Sequence, residues 1–511
     1  MPNTFYKHSN RPAGFTIVEL LIVVIVISIL AAITIVAFNG IQTRAEESKL
    51  QADLRNAAVI VKKDAVLDGA YPLSDVTVNE GRGFNPSAGT RLEYTSDGTS
   101  FCISATSTVR VVRAFFYNSE TGLTVADAVC PGHAEPSIGG GAGTWSEVAA
   151  GGWHTCAGNN GTISCWGRNL DGQLGRGSTS SSSLPVLVEG TLSTGGVSSM
   201  SLGAEFSCAI KNGELYCWGA NTYGQLGNNT LNNILAPAEP IGGLLEGKTV
   251  TQVSAGYWHV CAIADGQAYC WGQGSGGSLG NGTNPSNQQT PVAVGGVLAG
   301  KTISSIAAGG SHTCAISEGK VFCWGSNVYG SVGSGSIGGQ RNTPIAVVGD
   351  VVGKTATNIT TGWRHSCAIA NNQVHCWGEN GAGQLGNGLT TDTATSTVVS
   401  GLLSGKNATS ITAGGVSAGY NCAVADEQVY CWGENNYNQL GAGLVGNQTE
   451  PVLTQGVLAG QTVTTLIAGG SHTCATSASK LYCWGRASNG QVGNGSTATS
   501  VELPTEIFLP S

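Results

Sequence analysis

One long apolar run, one amphipathic stretch and a long series of short β-type segments divide the chain. Residues 15–38 are almost wholly apolar, broken by a single charge at Glu19. A helix over that run, rising ~1.5 Å per residue, reaches about 36 Å and spans a bilayer's hydrocarbon. Lys7, His8 and Arg11 precede it, which places the short N-terminal segment in the cytoplasm and everything past Phe38 outside. Leu50, Leu54, Ala57 and Val61 then form one apolar stripe among charges, so the helix is expected to continue to about residue 68. Gly69 and Pro72 end it. Residues 73–132 read as short strands, notably Val109 to Tyr117. Residues 134–144 are Gly-rich and form a flexible linker.

From 145 to 511 a single phrase recurs seven times: a cysteine, eight residues, then Cys-Trp-Gly. The pairs are Cys156 with Cys165, Cys208 with Cys217, Cys261 with Cys270, Cys314 with Cys323, Cys367 with Cys376, Cys422 with Cys431 and Cys474 with Cys483. The first cysteines lie 52, 53, 53, 53, 55 and 52 residues apart. A period near 50 in a Gly-rich, Trp-punctuated chain predicts a β-propeller with one blade per repeat, hence seven blades. The second repeat shows how a blade begins. Asn212-Gly213 is the preferred pair for a type I′ hairpin, which sets Cys208 opposite Cys217. Counted from a two-residue turn, that is a non-hydrogen-bonded pair with Cα atoms about 4.5 Å apart, within disulfide reach. Asn160-Gly161 and Asp265-Gly266 repeat the signal, which weakens at Asn371-Asn372, Asp426-Glu427 and Ala478-Ser479.

Composition sharpens the picture. Only 11% of the 511 residues are charged and 77 are glycine, which suits many short strands and tight turns. A net charge of −8 argues against a nucleic-acid partner, which requires a basic face. Sixteen cysteines make eight pairs, the arithmetic of disulfides in an oxidising compartment. Zinc is the rival reading, but four ligands must converge and each pair sits alone in its blade. Neither metal nor cofactor is implied, and no nucleophile–base–acid set or phosphate loop points to an enzyme.

The junction Gly14-Phe15-Thr16-Ile17-Val18-Glu19 resembles the prepilin signal of type IV pilins and pseudopilins. The resemblance implies cleavage by a prepilin peptidase after Gly14, N-methylation of Phe15, and pairing of Glu19 with the α-amine of a neighbouring subunit's Phe15. A lone carboxylate in hydrocarbon calls for such a partner. Residues 1–14 are then a leader and 15–133 a pilin-like module with a small α+β domain. The resemblance also pairs Cys102 with Cys130.

After each Trp-Gly comes a Gly-Gln-Leu-Gly-like run, as at 172–175, 224–227 and 383–386, and then a Pro-led strand at Pro185, Pro237, Pro291, Pro344, Pro451 and Pro504. With the Ala-Gly-x-x-His-x-Cys-Ala opening, these residues resemble the regulator of chromosome condensation repeat, whose family folds as a seven-bladed propeller. The fold class expected is therefore mainly β: a seven-bladed propeller preceded by a long transmembrane pilin helix and a small α+β domain. His154, His259, His312, His365 and His472 fall one per blade and read as structural, with Phe206 and Asn421 filling the place in the other two repeats. The tryptophans of Cys-Trp-Gly read as core between blades.

The positions the repeat leaves free are the candidate binding residues: Trp153, Tyr257, Trp258, Trp363, Arg364 and Tyr420. They precede the first Cys, on the face that also carries the long loop after Trp-Gly. Aromatics and Arg anchor interfaces, although packing on adjacent blades is the alternative. The function expected is a minor or tip subunit of a type IV pilus or pseudopilus that displays the propeller for adhesion. Its partners are other pilin subunits, the prepilin peptidase, the membrane and an extracellular protein or glycan. The rivals are a pseudopilin of a secretion or DNA-uptake machine and a surface propeller that inhibits an enzyme. Guanine-nucleotide exchange is disfavoured, since an exported, disulfide-bearing propeller meets no cytoplasmic GTPase.

Overall fold

The computed structural model describes residues 145–508 apart from 160, and before them a helix over 49–65 (residue 51 excepted), four strands, and residues 71, 72, 84, 86 and 87. The chain divides into two compact units, residues 1–139 with 511, and residues 140–510. Gly14, Phe15, Glu19, the apolar run 15–38, Cys130 and the linker 134–144 lie outside the described residues. Among the described residues no helix is long and apolar enough to cross a membrane.

In the first unit the expected stripe is the buried face of the helix. Leu50, Leu54, Ala57 and Val61 pack with Phe101, Ile103 and Ala105 in one cluster. The strands Thr90–Ser96, Phe101–Ser107, Phe115–Asn118 and Gly122–Val125 form an antiparallel meander in chain order. Cys102, on the second of them, is disulfide-bonded.

The second unit is a seven-bladed propeller. Each blade is a meander of consecutive antiparallel strands, such as Trp145–Ala150, His154–Asn159, Thr162–Gly167 and Ser182–Leu187 in blade 1. The first strand lies innermost: the ends of all seven first strands line one central cavity of about 180 Å³. The second and third strands form the hairpin with the cysteines. Cys208 faces Cys217 in register, as the turn demands, and the two form a disulfide. So do Cys156 with Cys165, Cys261 with Cys270 and Cys314 with Cys323. The later blades follow suit, with Cys367 bonded to Cys376, Cys422 to Cys431 and Cys474 to Cys483. The Cα atoms of all seven pairs lie 4.0–4.1 Å apart. The weak turns keep the strong turns' geometry. Asn371 and Asn372, Asp426 and Glu427, and Ala478 and Ser479 all have positive φ, as type I′ requires.

Two expectations need correcting. The prolines do not lead the outer strands but sit inside them. Pro185 lies in Ser182–Leu187, at the register shift between Gly167↔Ser182 and Cys165↔Val186. The same shift follows Cys270, Cys323, Cys376, Cys431 and Cys483 in the other four-stranded blades. A residue without an N–H is tolerated on an edge strand where the ladder is interrupted. Blade 2 has only three strands, and a single bridge, Gly219↔Ile234, stands where the fourth would run. Pro237 and Pro240 follow closely and together remove two ladder donors.

The ring closes without strand exchange. Blade 7 ends in its own outer strand, Ser500–Ile507, and meets blade 1 side by side. Trp145 and Trp166 share a core cluster with Leu481, Val492 and Ile507, and the Trp145 amide donates to the Ser479 carbonyl (3.2 Å).

Candidate functional site

Sorting the repeat into buried and free positions defines the site. The buried ones form a relay from blade to blade. His154 Nε2 lies 2.8 Å from Ser207 Oγ, and that hydroxyl donates to the Gln173 carbonyl (2.8 Å). Trp218 Nε1 donates to the same carbonyl (2.9 Å). The pattern repeats at His259–Thr313, His312–Ser366, His365–Asn421 and, across the closure, His472–Thr155 (2.7 Å). In the four hydroxyl pairs the one proton goes to a carbonyl, so the hydroxyl accepts from an Nε2–H, and Asn421 Oδ1, an acceptor only, takes that of His365; each imidazole is then a neutral tautomer. Nδ1 of His154, His365 and His472 is buried without a partner. Burial holds all five far below their ordinary pKa of 6.5, at about 3 for His154, His312 and His472 and about 4 for His259 and His365. These rings join blades and point at no common centre.

The residue at the ring position of blade 6 is Tyr420, not Asn421: Tyr420 pairs with Gly433 as His154 pairs with Gly167. Tyr420 is therefore no loop residue. It is 0% exposed, donates to the His472 carbonyl, and is closed to any ligand. Asn421 instead serves as the partner of His365, through Oδ1 (3.0 Å). In blade 2 the ring position holds Phe206 and its partner position in blade 3 holds Val260, both buried in one apolar cluster.

The free positions gather on one face, where the loop between the first and second strands and the loop after the third emerge together. Tyr257, Trp258 and Trp363 come together there. Tyr257 is 4.4 Å, centroid to centroid, from each tryptophan, and the tryptophans are 5.5 Å apart, all edge to face and all half-buried. Tyr223 extends the cluster against Trp258 at 6.0 Å. Arg364 stacks on Tyr329 (4.6 Å) and pairs with Glu379 (3.4 Å). Trp153 is not with this group; it stacks on Arg486, which also lies over the Tyr437 ring.

Tyr223, Tyr329, Tyr437 and Arg486 extend the candidate set beyond the loops before the first Cys. Their signal was positional. Each tyrosine immediately precedes the Gly-Gln-Leu-Gly-like run, and Arg486 follows Trp-Gly as Arg168 does.

Charge divides the two faces. The propeller's seven lysines, at 211, 248, 301, 320, 354, 406 and 480, all lie at the hairpin turns or the loops entering the first strands. Its five arginines, at 168, 176, 341, 364 and 486, all lie toward the aromatic face. The cavity at the axis is lined by small and apolar residues such as Ala149, Gly203, Ser254 and Ala308, with no charged side chain among them. Among the described residues no three of His, Cys, Asp and Glu converge as metal ligands do.

The fold and the relay define a class: a seven-bladed propeller whose blades are locked by a repeated Trp, His and disulfide. The chain belongs to the regulator of chromosome condensation (RCC1) repeat family, whose repeat matches residues 160–210, 212–263, 265–316, 318–369 and 426–476. The prokaryotic N-terminal methylation motif matches residues 9–35. The ultraviolet-B receptor UVR8 of Arabidopsis thaliana is 30% identical over 358 residues, covering 68% of this chain and 78% of that protein. The human E3 ubiquitin-protein ligase HERC2 is 32% identical over 364 residues, but the chain spans only 7% of its length. Yeast RCC1 (Prp20), solved bound to Kap60, shares the fold with a TM-score of 0.58 at 21% identity, over 68% of this chain and 83% of that one. Human WBSCR16 does so with a TM-score of 0.56 at 22% identity, over 66% and 87%.

Proposed function

We propose that the protein is made as a membrane-inserted, pilin-like precursor, exported, and assembled as a minor or tip subunit of a type IV pilus or related fibre. There its propeller serves as an adhesive head. The methylation motif and the stapled blades support export, since such disulfides persist outside the reducing cytoplasm. The observation that carries the binding role is the aromatic face, which has Trp, Tyr and Arg and no lysine, the composition of an interface. The chain enters the propeller at Trp145, beside the Ser479 turn, so the entry point is on the opposite, lysine-bearing face. A head of this size would crowd a fibre built wholly of such subunits, which favours a minor or tip position.

The test is binding of the full-length protein in detergent to arrays of glycans and extracellular proteins. Trp258→Ala with Trp363→Ala is expected to reduce a specific signal at least about tenfold, while the Cys-bridged blades stay folded. Undiminished binding by the double variant sinks the assignment of this face.

A further inference from the structure

Each blade has a residue directly after Trp-Gly, at the edge of the aromatic face: Arg168, Ala220, Gln273, Ser326, Glu379, Glu434 and Arg486. In blade 1 this residue reaches the next blade's loop, where Arg168 Nη1 lies 2.8 Å from Glu205 Oε1. Arg486 makes the same reach from blade 7 into blade 1 and finds Trp153, the repeat equivalent of Glu205. Where Arg168 meets an anion, Arg486 meets the face of a ring. Its guanidinium carbon lies 4.7 Å from the Trp153 centroid and 4.6 Å from that of Tyr437, and its Nε donates to Ser488 Oγ (2.9 Å). Among the described residues no carboxylate pairs with it. Among the described residues Arg176 and Arg341 also lack a carboxylate, but no aromatic ring holds either.

We propose that Arg486 receives a carboxylate from a protein partner docked on the aromatic face. This inference rests on the reading of that face as a binding surface and names its chemistry. The guanidinium carbon sits over two rings, and the N–H donors that Ser488 does not take match a carboxylate in a bidentate fork. The stack holds the side chain in place before the partner arrives, so little ordering entropy is lost on binding. A protein carboxylate is favoured over an acidic sugar because Leu444 and Val445 stand exposed on the loop that carries Tyr437, and Leu170 on the corresponding loop of blade 1. Aliphatic side chains contribute to a protein interface and little to a sugar site.

The experiment titrates the full-length protein in detergent into a fluorescein-labelled hexaglutamate peptide and reads anisotropy, with hexaglutamine and an oligogalacturonate as parallel arms. Hexaglutamate is expected to bind at least about tenfold more tightly than hexaglutamine. Arg486→Gln is expected to erase that difference, Arg486→Lys to weaken it several-fold because a point charge cannot form the fork, and Arg341→Gln, the same loss of charge, to leave it intact. Thermal unfolding checks each variant; should Arg486→Gln misfold, Arg486→Lys carries the test. A preference for hexaglutamate that survives in both Arg486 variants, or no preference in the wild type, overturns the proposal. Binding of the oligogalacturonate in place of the peptide overturns the choice of a protein partner. Array binding that still depends on Trp258 and Trp363 keeps the face as a binding surface whatever the peptide result.

Discussion

A methyl group on Gly386 would lie 2.7 Å from the indole nitrogen of Trp432. The last glycine of each Gly-Gln-Leu-Gly-like run is the seat for the next blade's tryptophan, and the same overlap recurs at Gly175, Gly227, Gly280, Gly441 and Gly493. Gly386 also has φ +64°, a conformation that L side chains resist. Gly386→Ala is therefore expected to cost about 2–4 kcal/mol, measured as a lowered denaturant midpoint with an unchanged slope. The opposite sign belongs to Glu427, an exposed turn residue held at φ +65°. Glu427→Gly relieves that strain, and a gain of about 0.5–1 kcal/mol is expected in the same assay. Single residues of this kind were legible where they recur in register. Asn438 replaces the first glycine of its run at φ +61°, the substitution that left-handed backbone best tolerates. Tyr420 misled because a two-residue insertion blurred the count, and only the pairing with Gly433 places it at the ring. Tyr257 and Trp258 of blade 3 and Trp363 of blade 5 spend part of their faces on one another, a convergence that spacing in the sequence does not show.

Blades are joined by paired positions, and those pairs change together. His sits with Ser, Thr or Asn, whereas Phe206 sits with Val260, so the polar link is either complete or replaced by an apolar contact. An unpaired buried hydroxyl would otherwise cost about 1–3 kcal/mol. The sequence lists both members, but their contact depends on neighbouring blades lying side by side, which periodicity alone does not give. The histidines make stability depend on pH. An unfolded chain takes up protons below about pH 6.5, while these buried rings stay neutral until about pH 4 or 3. Stability is thus full above 6.5 and falls as the pH drops toward 4, by up to about 2 kcal/mol per ring at pH 5. A melting temperature markedly lower at pH 5 than at pH 7.5 is expected; a flat profile would contradict the neutral, buried relay. The hairpin and its disulfide were read from Asn-Gly and a ten-residue spacing because both are local. The outer strands were harder to read, since an edge strand with Pro at a register shift carries little pattern of its own.

At the scale of the molecule, seven consecutive repeats give seven blades because each is complete in itself, and the closure needs only side-by-side packing of blades 7 and 1. The staples add to that. Each disulfide closes a ten-residue loop worth roughly 2–3 kcal/mol, so replacing both Cys314 and Cys323 by Ala is expected to lower unfolding stability by that amount without changing the fold. The separation of lysines from arginines is visible only when the strands are laid out, since residues of one face come from different turns and loops spread along the whole propeller. In the proposed assembly this head joins a fibre only after cleavage at Gly14, within the methylation motif matched at residues 9–35. Immunogold electron microscopy with antibodies to the propeller, on sheared fibres from cells making the wild-type chain or Gly14→Val, tests it most directly. Gold on wild-type fibres and none on those of the uncleaved variant is the expected result. Gold confined to the cell envelope in both strains would contradict the account.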